Sequence, residues 1–196
     1  QTGMIKSLNR LVLAKALAHQ ARWSEEGVAV DVSVNLTMSD LLDTSLPDAV
    51  RMALTAAGAE PGGLVLEITE STAMTDSARV RATLGRLREM GIRLAIDDFG
   101  TGHSSLAYLQ HLPVQLMKID KSFTQALDDG SGSKAIISST IELGRSLGLT
   151  VVAEGIETAE QARALIGLGV THGQGFLMAA PTRADELEDR LVRARA

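Results

Sequence analysis

The chain has 196 residues, of which 45% are apolar and only 3% aromatic, and its formal net charge is -5. That length builds one sizeable domain with a buried core, and an aliphatic core suits helices on parallel strands better than a β-sandwich. The acidic balance argues against a nucleic-acid polymer as partner, the lack of cysteine excludes disulfides and thiolate metal sites, and no run approaches the roughly 18 apolar residues of a membrane span. With no signal-peptide pattern at its start, the expectation is a cytoplasmic module, which a longer parent protein could still tether to a membrane.

In chain order, residues 4–23 carry Ile5, Leu8, Leu11, Val12, Ala16 and Leu17 at helical spacing, with Trp23 near the end. Gly27 breaks that helix, and Val28 to Leu36 reads as a strand. Val30, Val32, Val34 and Leu36 share one face of it, with Asp31, Ser33 and Asn35 on the other. Pro47 stands near the start of a helix running to about Ala57, and Pro61-Gly62-Gly63 is a turn. Leu64 to Thr69 is the next strand, and residues 76–90 form an amphipathic helix stopped by Gly91. The run from Arg93 to Ile96 is a buried strand ending in Asp97-Asp98, before a glycine-flanked turn and a short helix at 105–111.

Val114 to Ile119 is a strand that carries Lys118 and reaches Asp120. Residues 128–133 are a polar linker, and Lys134 to Leu147 is a helix ended by Gly148. Thr150 to Ala153 is a strand ending in Glu154-Gly155, and Thr158 caps a helix to Leu168. A short strand passes through residues 172–175, and Arg183 to Arg193 is a terminal helix.

Strand and helix alternate six times with short connections, which makes a parallel sheet in one domain over residues 1–196. Polar residues recur at the strand ends: Asn35, Glu67, Asp97, Asp98, Asp120, Glu154 and Gln174. A closed barrel gathers every such end around one mouth, whereas an open sheet uses mainly one crevice. The expected fold is therefore α/β, a modified TIM (β/α)8 barrel. Six βα units are present, and the first two strands are missing from the front of the chain.

Two acids at the end of a buried strand have no packing role, because burying unpaired charge is costly. Asn35, Glu67, Asp97, Asp98 and Glu154 offer hard oxygen donors, which suit Mg²⁺ or Mn²⁺; Ca²⁺ is expected to bind as an inhibitor. Adjacent carboxylates can serve two metals, one bridging and one terminal. Lys118 could assist charge development at a phosphoryl group, or be a structural counter-ion for Asp97 or Glu154. Taken alone, Asn35 is also an Asx-turn former, Glu70 a helix cap and Gln174 a turn residue. The four histidines lack metal-ligand spacing and read as surface or core residues.

Six stretches stand in the order seen in one family: Val34-Asn35-Leu36-Thr37, Leu66-Glu67-Ile68-Thr69-Glu70-Ser71, Asp97-Asp98-Phe99-Gly100-Thr101-Gly102, Lys118-Ile119-Asp120, Ala153-Glu154-Gly155-Ile156-Glu157 and Gln174-Gly175-Phe176. The chain thus resembles EAL domains, bacterial phosphodiesterases that hydrolyse the second messenger cyclic di-GMP to linear pGpG. The resemblance implies Asn35, Glu67, Asp97, Asp98 and Glu154 as metal ligands and Lys118 as the lysine that assists the nucleophilic water. It implies Gln174 as a glutamine near that water. It makes Glu70 the holder of the Asp-Phe-Gly-Thr-Gly loop, and Glu157 an acid behind the ligands or against substrate.

The family's Glu-Ala-Leu segment, whose glutamate is itself a ligand, has no counterpart here, so the fragment alone is expected to be inactive. Val170-Thr171 stands where the family often has Cys-Asp. A homodimer and regulatory or diguanylate cyclase-like domains in the parent protein are the expected partners. The alternatives are a non-catalytic cyclic di-GMP receptor or dimerising scaffold, and an unrelated TIM-barrel metalloenzyme. Strands 28–36 and 170–176 are each expected to leave an edge that invites pairing with another chain.

Overall fold

The computed structural model describes residues 2–73, 78–102, 109–127 and 132–195. Helix α1 spans Thr2–Glu25, strand β1 Val32–Asn35, helix α2 Met38–Leu41, helix α3 Leu46–Ala57 and strand β2 Leu64–Thr69. Helix α4 follows at Glu70–Ala73, α5 at Ala78–Glu89, strand β3 at Arg93–Phe99 and β4 at Leu116–Ile119. Then come α6 (Lys121–Gln125), α7 (Ser133–Leu147), β5 (Thr150–Ala153), α8 (Ala159–Gly167), β6 (His172–Gly173) and α9 (Ala184–Arg195). Residues 105–108 of the helix expected at 105–111 and most of the 128–133 linker fall outside the described residues, as do His103 and the first residues of the 76–90 helix.

The chain divides into two compact units. The first comprises residues 1–68, 75–94 and 182–196, the second 69–74 and 95–181.

In the first unit β1 pairs with β2 in parallel, Val32 opposite Leu64 and Asn35 opposite Glu67. Helix α1 packs on α3 and β1, and α5 on α2 and α3. Leu17, Leu41, Val50, Leu64, Leu66, Ile68, Leu84 and Leu87 are fully buried. The strand expected at 28–36 is cut to four residues, because only Val32–Asn35 have β2 beside them.

The buried face of α1 also differs from the expected stripe. Ile5, Leu8, Leu11 and Val12 are exposed, while Leu13, Leu17, Gln20, Ala21 and Trp23 face inward. Polar ties set that rotation: Lys6 Nζ meets Asp43 Oδ2 at 3.1 Å, and Asn9 Nδ2 donates to Asp40 Oδ2 at 2.6 Å. Asp40 is itself fixed as the third residue of a capping box with Thr37.

In the second unit β3 pairs with β4, β4 with β5 and β5 with β6, all in parallel. Its core gathers Ile119, Leu127, Ile137, Ile141, Val151, Ala153, Ile156 and Leu165. Thr158 opens α8 through a capping box with Gln161, and Gly148 closes α7 in the left-handed conformation. These pairings are all parallel, and the strands alternate with helices as the sequence leads one to expect.

Candidate metal centre

The acids of the second unit converge because β3 is irregular. From Ile96 to Phe99 the strand spends three steps where β4 spends two, from Met117 to Ile119. The extra residue is a bulge, and within it Asp98 takes φ 55°, the left-handed region that side chains other than Asn and Asp rarely adopt. In a regular strand adjacent side chains point to opposite faces. The bulge cancels that alternation, so carboxylate oxygens of Asp97, Asp98 and Glu154 all lie within 4.8 Å of one another.

Lys118 stands between these acids. It is 6% exposed, and its Nζ lies 2.9 Å from Asp97 Oδ1 and 2.6 Å from Glu154 Oε1. Strand register brings this about, since Lys118 opposes Val152 and Glu154 leaves β5 two residues later. Gln174 Nε2 donates to the same Glu154 Oε1 at 2.6 Å, and its backbone N–H to Ala153 O at 2.9 Å. Glu154 is therefore held from two sides.

Glu70 stands at the start of α4. Its buried carboxylate accepts from the N–H of Gly100 at 2.8 Å and of Gly102 at 3.4 Å, which pins the turn after the acid pair. A Cβ at Gly102 would come 2.7 Å from Glu70 Oε1, so the turn needs glycine there to close on the carboxylate.

Two of the acids titrate away from their ordinary values. Burial pushes the Asp98 carboxyl up, and the neighbouring charges of Asp97 and Asp120 push it further. Burial acts the same way on Asp120, but the hydroxyl and N–H of Ser122 outweigh it and hold that carboxyl below the usual range. Asp120 Oδ1 caps α6 by accepting from Ser122 N–H at 3.0 Å.

These features fit a hard divalent cation. Asp97 Oδ1 is buried and ion-paired with Lys118 at 2.9 Å, and among the described residues no donor meets it in hydrogen-bond geometry. Three carboxylates crowded against one ammonium leave excess negative charge, which a cation would neutralise.

In the first unit, Asn35 and Glu67 are brought opposite each other by the β1–β2 register, with Leu36 N–H donating to Glu67 O at 2.8 Å. Asn35 is exposed and Glu67 buried. Glu157 is exposed and accepts from Gln125 Nε2 at 3.2 Å. Gln125 and Phe123, which lies against Gly100, were not legible as site residues, since α6 is too short to show a period.

Parallel strands alternating with helices, with clustered oxygen donors and a buried lysine at the strand ends, define an α/β protein with a candidate hard-cation site. A family model for the EAL domain matches residues 1–181, and the chain belongs to that family. It is 42% identical over 188 residues to the bifunctional diguanylate cyclase/cyclic di-GMP phosphodiesterase MucR of Pseudomonas aeruginosa, covering 95% of this chain and 27% of MucR. It is 39% identical over 194 residues to the cyclic di-GMP phosphodiesterase PA2567 of the same organism, covering 98% of this chain and 33% of that relative. The chain thus spans about a third or less of the curated relatives it matches.

Among solved structures, the PaMucR phosphodiesterase in complex with c-di-GMP aligns at a TM-score of 0.91 and 42% identity, over 95% of this chain and 76% of that one. The manganese/cy-diGMP complex of Klebsiella pneumoniae BlrP1 aligns at 0.77 and 33% identity, over 87% of this chain and 43% of that one. The fold is accordingly the EAL version of the (β/α) barrel, with six of its strands present and the first ones lacking.

Proposed function

We propose that this chain forms the greater part of a phosphodiesterase domain that hydrolyses cyclic di-GMP to linear pGpG with the help of Mg²⁺ or Mn²⁺. The observation that carries the reading is the half-buried carboxylate cluster of Asp97, Asp98 and Glu154 around the single ammonium of Lys118. The similarity to MucR and PA2567 supports the substrate, and the manganese complex of BlrP1 supports the class of ion.

Asp97, Asp98 and Glu154 would hold the cations, and the family resemblance assigns Asn35 and Glu67 as further donors. A bound pair of divalent ions supplies Lewis acidity toward a phosphoryl oxygen and an activated water. Lys118 is fixed between Asp97 and Glu154, so its ammonium offers positive charge where negative charge develops on the phosphoryl group. Gln174 orients Glu154 through its amide, and Glu70 keeps the turn after Asp98 in place. Glu157 is proposed as a residue behind the ligands or against substrate.

The proposed setting is cytoplasmic, with further signalling domains in the parent protein and a homodimer as the working form. The name of MucR, which couples a cyclase to a phosphodiesterase, supports the domain partners. Among the described residues no helix is long and apolar enough to cross a membrane.

The test is to incubate the full-length protein with cyclic di-GMP and Mg²⁺ and to separate the products by chromatography. Linear pGpG that disappears on chelation, and on exchange of Mg²⁺ for Ca²⁺, is the expected result. Saturable binding without any turnover would replace the enzyme by a cyclic di-GMP receptor.

A further inference from the structure

Helix α6 is only five residues long, yet it touches the loops on both sides of it. Toward the loop after β3, the ring of Phe123 lies against Gly100. A Cβ at Gly100 would sit 2.8 Å from Phe123 Cε2 and 3.2 Å from Cζ. Toward the loop after β5, Lys121 lies against Gly155, where a Cβ would sit 2.5 Å from Lys121 Cβ and 3.2 Å from its Cα. Further along, Gln125 reaches Glu157.

Both docking points are glycines with positive φ, +101° at Gly100 and +67° at Gly155. Two loops have therefore given up a side chain, and ordinary backbone conformation, to let this short helix close in. Gly100 follows the Asp97-Asp98 pair, and Gly155 follows Glu154 directly.

We infer that α6 is a wedge that sets the distance between the Asp97-Asp98 pair and Glu154, with Phe123 as the positioning residue. The inference rests on the divalent-cation reading of the site. Three carboxylates repel one another, and the Lys118 side chain that spans them is a long flexible arm. A stiff aromatic ring seated between the Gly100 backbone and the core that carries Ala153 and Ile156, with Lys121 against Gly155, fixes the spacing of the donors before any ion arrives, and that spacing governs ion affinity. Phe123 also packs on the second unit's core, so movement of that core reaches the acids through the ring.

The test uses the full-length protein and the variants Phe123→Ala, Phe123→Leu and Gln125→Ala. Mn²⁺ affinity is read by calorimetry, and amide exchange of residues 98–102 without metal by mass spectrometry. Phe123→Ala is expected to weaken Mn²⁺ binding roughly ten-fold, as loss of a supporting partner does at other metal sites, and to speed exchange of that turn. Phe123→Leu, which keeps most of the volume, restores most of both. Gln125→Ala, an exposed change, gives a smaller loss of affinity of the same sign. Wild-type affinity and exchange in Phe123→Ala would overturn the wedge. Should the wild-type protein bind no Mn²⁺, the cation reading falls, and the exchange measurement alone then decides whether α6 holds the turn.

Discussion

Asp98 shows how much of the site depends on one backbone torsion. Its left-handed φ of 55° is strained by about 1 kcal/mol, less than for most residues because a short polar side chain tolerates that region. The strain puts two neighbouring carboxylates on one side of β3, where they meet Glu154 and Lys118. Lys118→Met leaves those acids facing one another without the ammonium. We expect loss of turnover and, in the absence of metal, a stability loss of about 3 kcal/mol, the range for removing one partner of a buried ion pair. Added Mn²⁺ should recover more stability in that variant than in wild type, and paired thermal melts check it. Glu70→Ala strands the N–H groups of Gly100 and Gly102. Both glycines are exposed, so water can replace the carboxylate, and a loss of about 1 kcal/mol is expected, with activity falling further than the fold does. The adjacent acids, the lysine and the glutamate were all legible in the sequence. The bulge that makes them converge was not, because nothing in Asp97-Asp98 reveals a left-handed torsion.

Helices and strands follow their local signals closely where a cap or a turn residue marks the end. Pro47, Gly58, Gly91, Gly148 and Thr158 stand at or near the boundaries that their chemistry implies. Thr158→Ala removes the acceptor for Gln161 N–H at 3.1 Å and should lower stability by about 1 kcal/mol, read as a reduced melting temperature. Helix α1 is the exception: it is apolar on both sides, so periodicity could not tell which side is buried. Its rotation comes from Lys6 and Asn9, whose partners Asp43 and Asp40 lie more than 30 residues away. The Ser45 hydroxyl and N–H, with Lys6, hold the Asp43 carboxyl down at about 2, against 3.8 ordinarily. A lowered carboxylate value stabilises the fold above the ordinary value, and that contribution is lost as pH falls through about 2. For so accessible a group it is under about 1 kcal/mol. Melting temperatures between pH 5 and 2 should therefore fall less steeply in Asp43→Asn than in wild type.

The alternation of six strands with helices and the polar strand ends made the parallel α/β fold readable before any coordinates, because both are periodic or punctuated features. Helix α6 was too brief to carry such a signal, and the contacts of Phe123 and Gln125 bring together residues far apart in the chain. A homodimer is expected for the full-length protein, with light scattering after size exclusion giving twice the chain mass; a monomer at working concentrations would remove that part of the account. The most direct measurement of the central claim is cyclic di-GMP turnover with saturating Mn²⁺ by the full-length protein and its Asp97→Ala variant. On the proposed role of Asp97 as a metal ligand, its removal should lower the rate by at least about a hundred-fold. Turnover equal to wild type in Asp97→Ala would contradict a catalytic role for the carboxylate cluster.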